Sequence, residues 1–427
     1  MSARLLLVLF MALTIVYDLV TMVMADRQRK KPLPPEVADV YDADRYRQYL
    51  AYVADNRRCL LIVRAVTFIV NTALYYSRLY PTLERLTGGN PYWVYLLSLL
   101  VFEVVGNVID TVDGYYTTFV IREKYGLNRQ DRKGFFKDTA LDILQNMVVM
   151  VGLGMIFTFV GEHMAAWTDG FTVSLGRALL IAVAVAAVIA AFVVGASLIS
   201  LWVLKKQYTF TPMPEGDLRT KVMALQEGSK KKVRIVNIYD ESKKSTSKNA
   251  FLLKFLWHRE FGIADNFINE NAEDELLAVL SHEVGHLKHK KNLLNLLSYG
   301  ILAAAFALFV LAVHAPGALL KINAWTRDSF GIAGNNYYLL IGVYMCFFTP
   351  VSHAVGIFEN FRSRREEYEA DREAVRNGYG EALIATFKQV SSDELVNVDP
   401  HPVIEFLEYD HPGMYRRIKA IREAEAT

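Results

Sequence analysis

Cysteine is almost absent. Cys59 and Cys346 are the two in 427 residues, and both lie inside apolar runs. That excludes a disulfide framework and a cysteine-based zinc site. An excess of either charge is missing too: 47 Lys and Arg face 45 Asp and Glu, a net charge of +2. Such a balance argues against nucleic acid as a partner. Histidine is sparse, with nine residues, and there is no internal repeat or low-complexity tract. What the chain has in abundance is apolar length. Hydrophobic residues make up 53 %, yet charged residues still make up 22 %. A soluble chain has no need of such runs, and a simple bundle of spans does not carry so much charge. The combination predicts a membrane protein with a substantial polar part.

About seven stretches are long enough to cross a bilayer as helices. They lie near 5–25, 59–80, 92–112, 140–161, 178–204, 293–315 and 337–358. The first is flanked by Arg4 and by Arg27-Gln28-Arg29-Lys30-Lys31 and has no small-residue cleavage site, so it reads as an anchor rather than a signal peptide. The third is interrupted by Glu103, Asp110 and Asp113, which leaves open whether it is one helix or is broken at the aspartates. Arg64 and Asn71 in the second are costly in lipid. Either they face a polar bundle interior or they snorkel to an interface. Basic residues cluster after spans one, three, five and seven, and are few near 81–91, 162–177 and 316–336. The alternation predicts an N-terminus outside, a C-terminus in the cytosol, and both large polar segments on the cytosolic side.

The polar segment after span five carries Ser281-His282-Glu283-Val284-Gly285-His286, an H-E-x-x-H motif. Two histidines four apart fall one turn apart on one helix face, so both imidazoles can reach one zinc ion. A catalytic zinc takes a third protein ligand and keeps one position for water. No third histidine follows at metzincin spacing, and His289 lies too far along the helix axis. The third ligand is therefore expected to be a carboxylate on another helix, and the best candidates lie in Arg365-Glu366-Glu367-Tyr368-Glu369-Ala370-Asp371. Glu367 and Asp371 share a face; Glu367 can bind the metal, and Asp371 can accept the N–H of a ligating histidine. By spacing alone, Glu366 and Glu369 remain rivals. Glu283 has a role only if the zinc is catalytic: general base toward the zinc-activated water, then proton donor to the leaving amine. Charged flanks, Glu273-Asp274-Glu275 before the motif and Lys288-His289-Lys290-Lys291 after it, place it at a membrane boundary, not inside a span. That argues against an intramembrane site-2-type protease.

Beyond the motif, several segments resemble the type I CAAX prenyl protease family of integral-membrane zinc metallopeptidases. These are Thr117-Thr118-Phe119-Val120-Ile121-Arg122-Glu123-Lys124-Tyr125-Gly126-Leu127-Asn128, then Phe135-Phe136-Lys137-Asp138, Thr211-Pro212-Met213-Pro214-Glu215-Gly216, and Ser245-Thr246-Ser247-Lys248-Asn249-Ala250. The resemblance implies an all-α dominated integral membrane protein: a seven-helix transmembrane bundle enclosing a water-filled chamber, with a gluzincin-like zinc peptidase domain containing a small β-sheet. It divides the chain into helices 1–5 (1–204), a zinc peptidase segment (205–292), helices 6–7 (293–358) and a C-terminal peptidase segment (359–427). It implies one Zn2+ held by His282, His286 and Glu367, with Asp371 as the carboxylate partner. His411, in a His-Pro pair, would donate to the substrate carbonyl, with Arg417 in support. Asn249 and Ala250 would lie on an edge strand that pairs with an extended substrate. The expected substrate is a protein or peptide prenylated near its C-terminus. The expected membrane is the endoplasmic reticulum in a eukaryote or the cytoplasmic membrane in a bacterium. The chain departs from the family where an aromatic commonly follows the second histidine and precedes the third ligand; Leu287 and Glu366 stand near there instead. Two alternatives are a membrane quality-control metallopeptidase with non-prenylated substrates and a non-catalytic scaffold holding a structural zinc.

Overall fold

The computed structural model describes residues 1–167, 175–227, 229, 232–255, 258–288 and 318–426. Among them, five helices are long and apolar enough to cross a membrane by length and composition. These are α1 (Ala3–Arg29), α2 (Ala43–Tyr76), α4 (Pro91–Tyr116, continued by a π turn over Thr117–Arg122), α5 (Arg132–Trp167) and α11 (Tyr337–Arg376). The short α3 (Leu79–Leu86) follows α2. The fifth expected span is covered by α6 (Leu175–Gln207), which carries no charge between 178 and 200. The sixth, 293–315, lies outside the described residues, as does His289.

The third span is continuous. α4 passes through Asp110 and Asp113 without a break, and Asp113 is satisfied sideways by the Cys59 thiol of α2 at 2.9 Å. Arg64 in α2 is likewise met by a carboxylate: its Nε donates to Asp18 of α1 at 2.8 Å. Pairing of this kind is what makes ionisable groups tolerable at membrane depth. α2 begins well before its apolar stretch, with Asp42 capping the Arg45 amide at 2.7 Å. Nearer its start, Arg57 bridges to Asp26 of α1.

The polar segment after α6 builds a four-stranded sheet in the order β1-β2-β4-β3. β1 (Phe210–Pro212) pairs antiparallel with β2 (Ile235–Tyr239), β2 runs parallel to β4 (His258–Ala264), and β4 pairs antiparallel with β3 (Ala250–Phe255). Helices α7 (Asp217–Ala224) and α8 (Asp265–Glu270) flank it. α9 (Glu273–Lys288) carries the H-E-x-x-H motif and is buried on two sides. Leu276, Leu277, Leu280, Val284 and Leu287 recur at helical spacing and pack on Val236, Phe261 and Ile263 of the sheet. On another face, Ala278 meets Ala374, Leu383 and Ile418 from the C-terminal part of the chain. α10 (Ala318–Phe330) packs with α1 and α11 at the far end of the bundle, through Ala3, Leu7, Phe330, Leu339 and Val343. The remaining helices are α12 (Gly380–Asp393), α13 (Pro402–Glu408) and α14 (Met414–Glu425). α11 continues for 40 residues, so one rod joins the seventh expected span to the Glu367–Asp371 pair.

Candidate active site

Two helices make the site. α9 presents His282 and His286 with ring centroids 4.8 Å apart and planes at 87°. α11 crosses α9 so closely that a Cβ on Gly285 would stand 2.6 Å from the Ala370 Cα. The glycine lets the backbones approach, and the approach carries Glu367 up to both imidazoles. His282 Nε2 lies 3.4 Å from Glu367 Oε2, and His286 Nε2 lies 3.3 Å from Oε1. The three potential ligand atoms are all within 4.8 Å of one another. Glu367 is 4 % exposed, and its Oε2 has no hydrogen-bond partner. His282 Nε2 and Arg417 Nη2 each lie 3.4 Å from that oxygen without hydrogen-bonding to it, so a buried lone pair remains for a cation held among the three side chains. The donor set, two nitrogens and a carboxylate, is what a divalent metal such as zinc takes. Of the rival carboxylates, Glu366 is paired with Arg362 and Glu369 with Arg365, along their own helix.

Behind the ligands lies a second layer. His282 Nδ1 donates to Asp371 Oδ1 at 2.9 Å, which leaves Nε2 directed at Glu367. Asp371 is held in turn by Arg417 of α14, from Nε at 2.9 Å and from Nη2 at 2.6 Å. The guanidinium also lies over the Phe387 ring, 4.3 Å from its centroid. Burial opposes ionisation of Asp371, but the Arg417 charge and the hydrogen bonds from His282 and Arg417 outweigh it and hold the carboxyl below its ordinary range. Glu367 behaves the same way: burial works against its charge, and the two histidines with Arg417 push its pKa far down. At His282 burial disfavours the imidazolium, whereas Asp371 and Glu367 favour it and raise the pKa to about 9.

His411 also arrives here, with Nε2 3.4 Å from Glu367 Oε1 and Nδ1 2.8 Å from Asp410. Glu283 is partly exposed and close enough for its charge to act on Arg417. Ala250 opens β3, an edge of the sheet, and the Asn249 carbonyl accepts from the Ala264 amide at 2.9 Å. β3 runs beside α9, where Lys254 Nζ donates to the His286 carbonyl at 3.0 Å. Sequence reasoning passed over Arg364, whose guanidinium donates to the Glu405 and Tyr409 carbonyls and so secures the turn before His411. The signal was present: Arg364, Glu367 and Asp371 share one helix face at i, i+3 and i+7. Phe387, beneath Arg417, carried no such signal.

Comparison with known proteins agrees with this geometry. Residues 24–199 match the family described as "CAAX prenyl protease N-terminal, five membrane helices", and residues 212–425 match peptidase family M48. The CAAX prenyl protease 1 homolog of Oryza sativa subsp. japonica is 24 % identical over 98 % of this chain and 96 % of its own length. The human CAAX prenyl protease 1 homolog is 22 % identical over 93 % and 91 %. The crystal structure of S. mikatae Ste24p superposes with a TM-score of 0.74 at 19 % identity, covering 99 % of both chains. With both halves matched and the metal-ligand cluster formed across α9 and α11, the chain belongs to the M48 peptidases of the type I CAAX prenyl protease kind, multi-pass membrane metalloproteases.

Proposed function

We propose that the protein is a zinc endopeptidase that cuts a peptide bond near the C-terminus of prenylated, CAAX-type substrates, from a site on the cytosolic side of its membrane. The observation that carries this reading is the convergence of His282, His286 and Glu367, with the Glu367 Oε2 buried and without a hydrogen bond. Zinc held by these three residues would polarise the scissile carbonyl and make the attacking water easier to deprotonate. Glu283, one residue after the first ligand, takes the proton from that water and returns it to the leaving amine. His411, beside Glu367, donates to the oxygen on which negative charge develops. Asp371 and Arg417 keep His282 in the tautomer that offers Nε2. The β3 edge, beginning at Asn249 and Ala250, aligns the substrate as an added strand.

Glu283→Gln tests the mechanism directly. It removes the base and leaves the three ligands. The variant is expected to retain zinc at the wild-type ratio by elemental analysis and to lose peptide hydrolysis by at least about a hundredfold. Unchanged hydrolysis would sink the mechanism. Ligand identity is checked separately by zinc content: Glu367→Ala should lose metal and Glu366→Ala should keep it, and the reverse pattern would overturn the assignment.

A further inference from the structure

His411 reaches the metal-ligand cluster from the short connection between α13 and α14, residues 409–413. Its side chain is 55 % exposed among the described residues. The imidazole is therefore placed by its backbone more than by packing around the ring. Both ends of that backbone are fastened to one residue, Glu405. At the near end, the Tyr409 amide donates to the Glu405 carbonyl at 3.2 Å and closes the last turn of α13. At the far end, the Gly413 amide donates to the Glu405 carboxylate, 3.1 Å from Oε1. Glu405 is buried, and its other oxygen lies 3.4 Å from Arg416 Nε of α14. A carboxylate in such a place is costly without partners. Here its partners are the His411 connection and the helix that follows it.

Arg364 supplies the link to the ligand helix. It stands on α11 one turn before Glu367. Its Nη1 donates to the Glu405 carbonyl at 2.9 Å and to the Tyr409 carbonyl. The Tyr409 carbonyl lies past the end of α13, where backbone acceptors lack partners within the helix. The guanidinium satisfies it and ties α13 to α11. The connection has little room to shift, since a Cβ on Gly413 would fall 2.8 Å from Pro400 Cδ. One residue on the ligand helix and one on α13 thus set the 3.4 Å between His411 Nε2 and Glu367 Oε1.

We infer that Arg364 and Glu405 are positioning residues for His411, acting through the 409–413 backbone and not on substrate. The inference rests on the proposed role of His411 as a donor to the substrate oxygen. Stabilisation of that kind depends on a donor held in advance where charge will develop, and a misplacement of about 1 Å can cost about a hundredfold in rate. Arg364 and Glu367 move together on one helix, so the same rod that carries the third ligand also carries the anchor of the donor.

The test uses the full-length protein in detergent with one farnesylated peptide. Arg364→Met, Glu405→Leu and Glu405→Gln are each made alone and combined with His411→Ala. Arg364→Met and Glu405→Leu are expected to keep zinc at the wild-type ratio and to lower kcat about tenfold, with KM changed by less than about twofold. Glu405→Gln keeps an oxygen for the Gly413 amide and should recover most of that loss. His411→Ala alone should be slower by about a hundredfold. In its background the same substitutions should cost less than about twofold more, because residues acting through one side chain are not additive. A readout independent of turnover is hydrogen exchange across residues 409–416 in zinc-free protein. It should quicken about tenfold in Arg364→Met and Glu405→Leu and stay near wild type in Glu405→Gln. Additive losses with His411→Ala overturn the inference and leave the donor role of His411 standing. Wild-type kcat in His411→Ala rejects the donor role itself, and this inference with it. Loss of zinc in both Arg364→Met and Glu405→Leu would show a role in the fold at large, and wild-type kcat with wild-type exchange in Arg364→Met would show none; either result also overturns it.

Discussion

Asp371 and Arg417 stand behind the His282–His286–Glu367 cluster and brace it. Asp371 accepts the hydrogen bond from His282 Nδ1, and Arg417 holds Asp371 by two hydrogen bonds while its charge also bears on Glu367. Removing Arg417 leaves a buried carboxylate without its counter-ion. Arg417→Leu is therefore expected to weaken zinc binding by about 10- to 100-fold, measured by competition with a chelator. Arg417→Lys should recover little of this, because one ammonium cannot reproduce the two-pronged contact. Zinc affinity equal to wild type in Arg417→Leu would mean that Asp371 alone orients the histidine. Glu373, two residues further on, serves the fold instead. It is buried and paired with Lys288 and Arg376. Burial opposes its charge, but these partners prevail and lower its pKa below the ordinary 4.5. A depressed carboxyl stabilises the fold fully above its unfolded pKa, and the contribution is lost as pH falls through the folded value. Wild type should therefore lose stability relative to Glu373→Gln as pH drops below about 4.5, and a gap in melting temperature that stays constant from pH 7 to pH 3 would refute the linkage.

The crossing of α9 and α11 decides whether there is a site at all. Gly285 lies between Glu283 and the second histidine, at the point of contact, and an added Cβ would meet backbone: the Ala370 Cα at 2.6 Å and its carbonyl oxygen at 3.2 Å. Backbone cannot swing aside as a side chain can, so the helices must separate. Gly285→Ala improves local helix propensity by about 1 kcal/mol and should nevertheless lower zinc affinity at least about tenfold, because His282 and His286 are carried away from Glu367. Shaving the partner with Ala370→Gly should not rescue it, since the nearest clash is with Cα rather than Cβ. Rescue by the double variant, or normal zinc content in Gly285→Ala, would show that the helices have slack at this point. The edge strand β3 is tied to the same helix through Lys254 and the His286 carbonyl, so a displaced α9 pulls on that strand as well.

At the scale of the whole molecule, the parts readable from sequence were those with a local period. Apolar runs marked the spans, and the i, i+4 histidines marked the zinc helix. The i, i+4 pair Glu367 and Asp371 narrowed the third ligand without separating it from Glu366; that separation needed the crossing of α9 and α11, a contact between residues some ninety positions apart. The continuity of α4 was illegible for a similar reason, because Asp113 is satisfied by Cys59 on a neighbouring helix. The same non-local arrangement bears on substrate. Under the proposed function the metal site would serve a peptide that reaches it from the bilayer, where covalent lipid contributes about 0.8 kcal/mol per buried CH2. A farnesyl group concentrates its peptide at that surface, and any contact with the bundle adds to this. In proteoliposomes the farnesylated form of one peptide should therefore be cut with kcat/KM at least tenfold above the free-thiol form. Partitioning alone predicts that the advantage disappears in detergent once micelle-bound concentrations are matched, whereas recognition of the prenyl chain predicts that it persists. The proposed function requires persistence. Equal rates for the two peptides in both settings would reject prenyl recognition and favour a peptidase that takes unmodified membrane proteins at the same metal site.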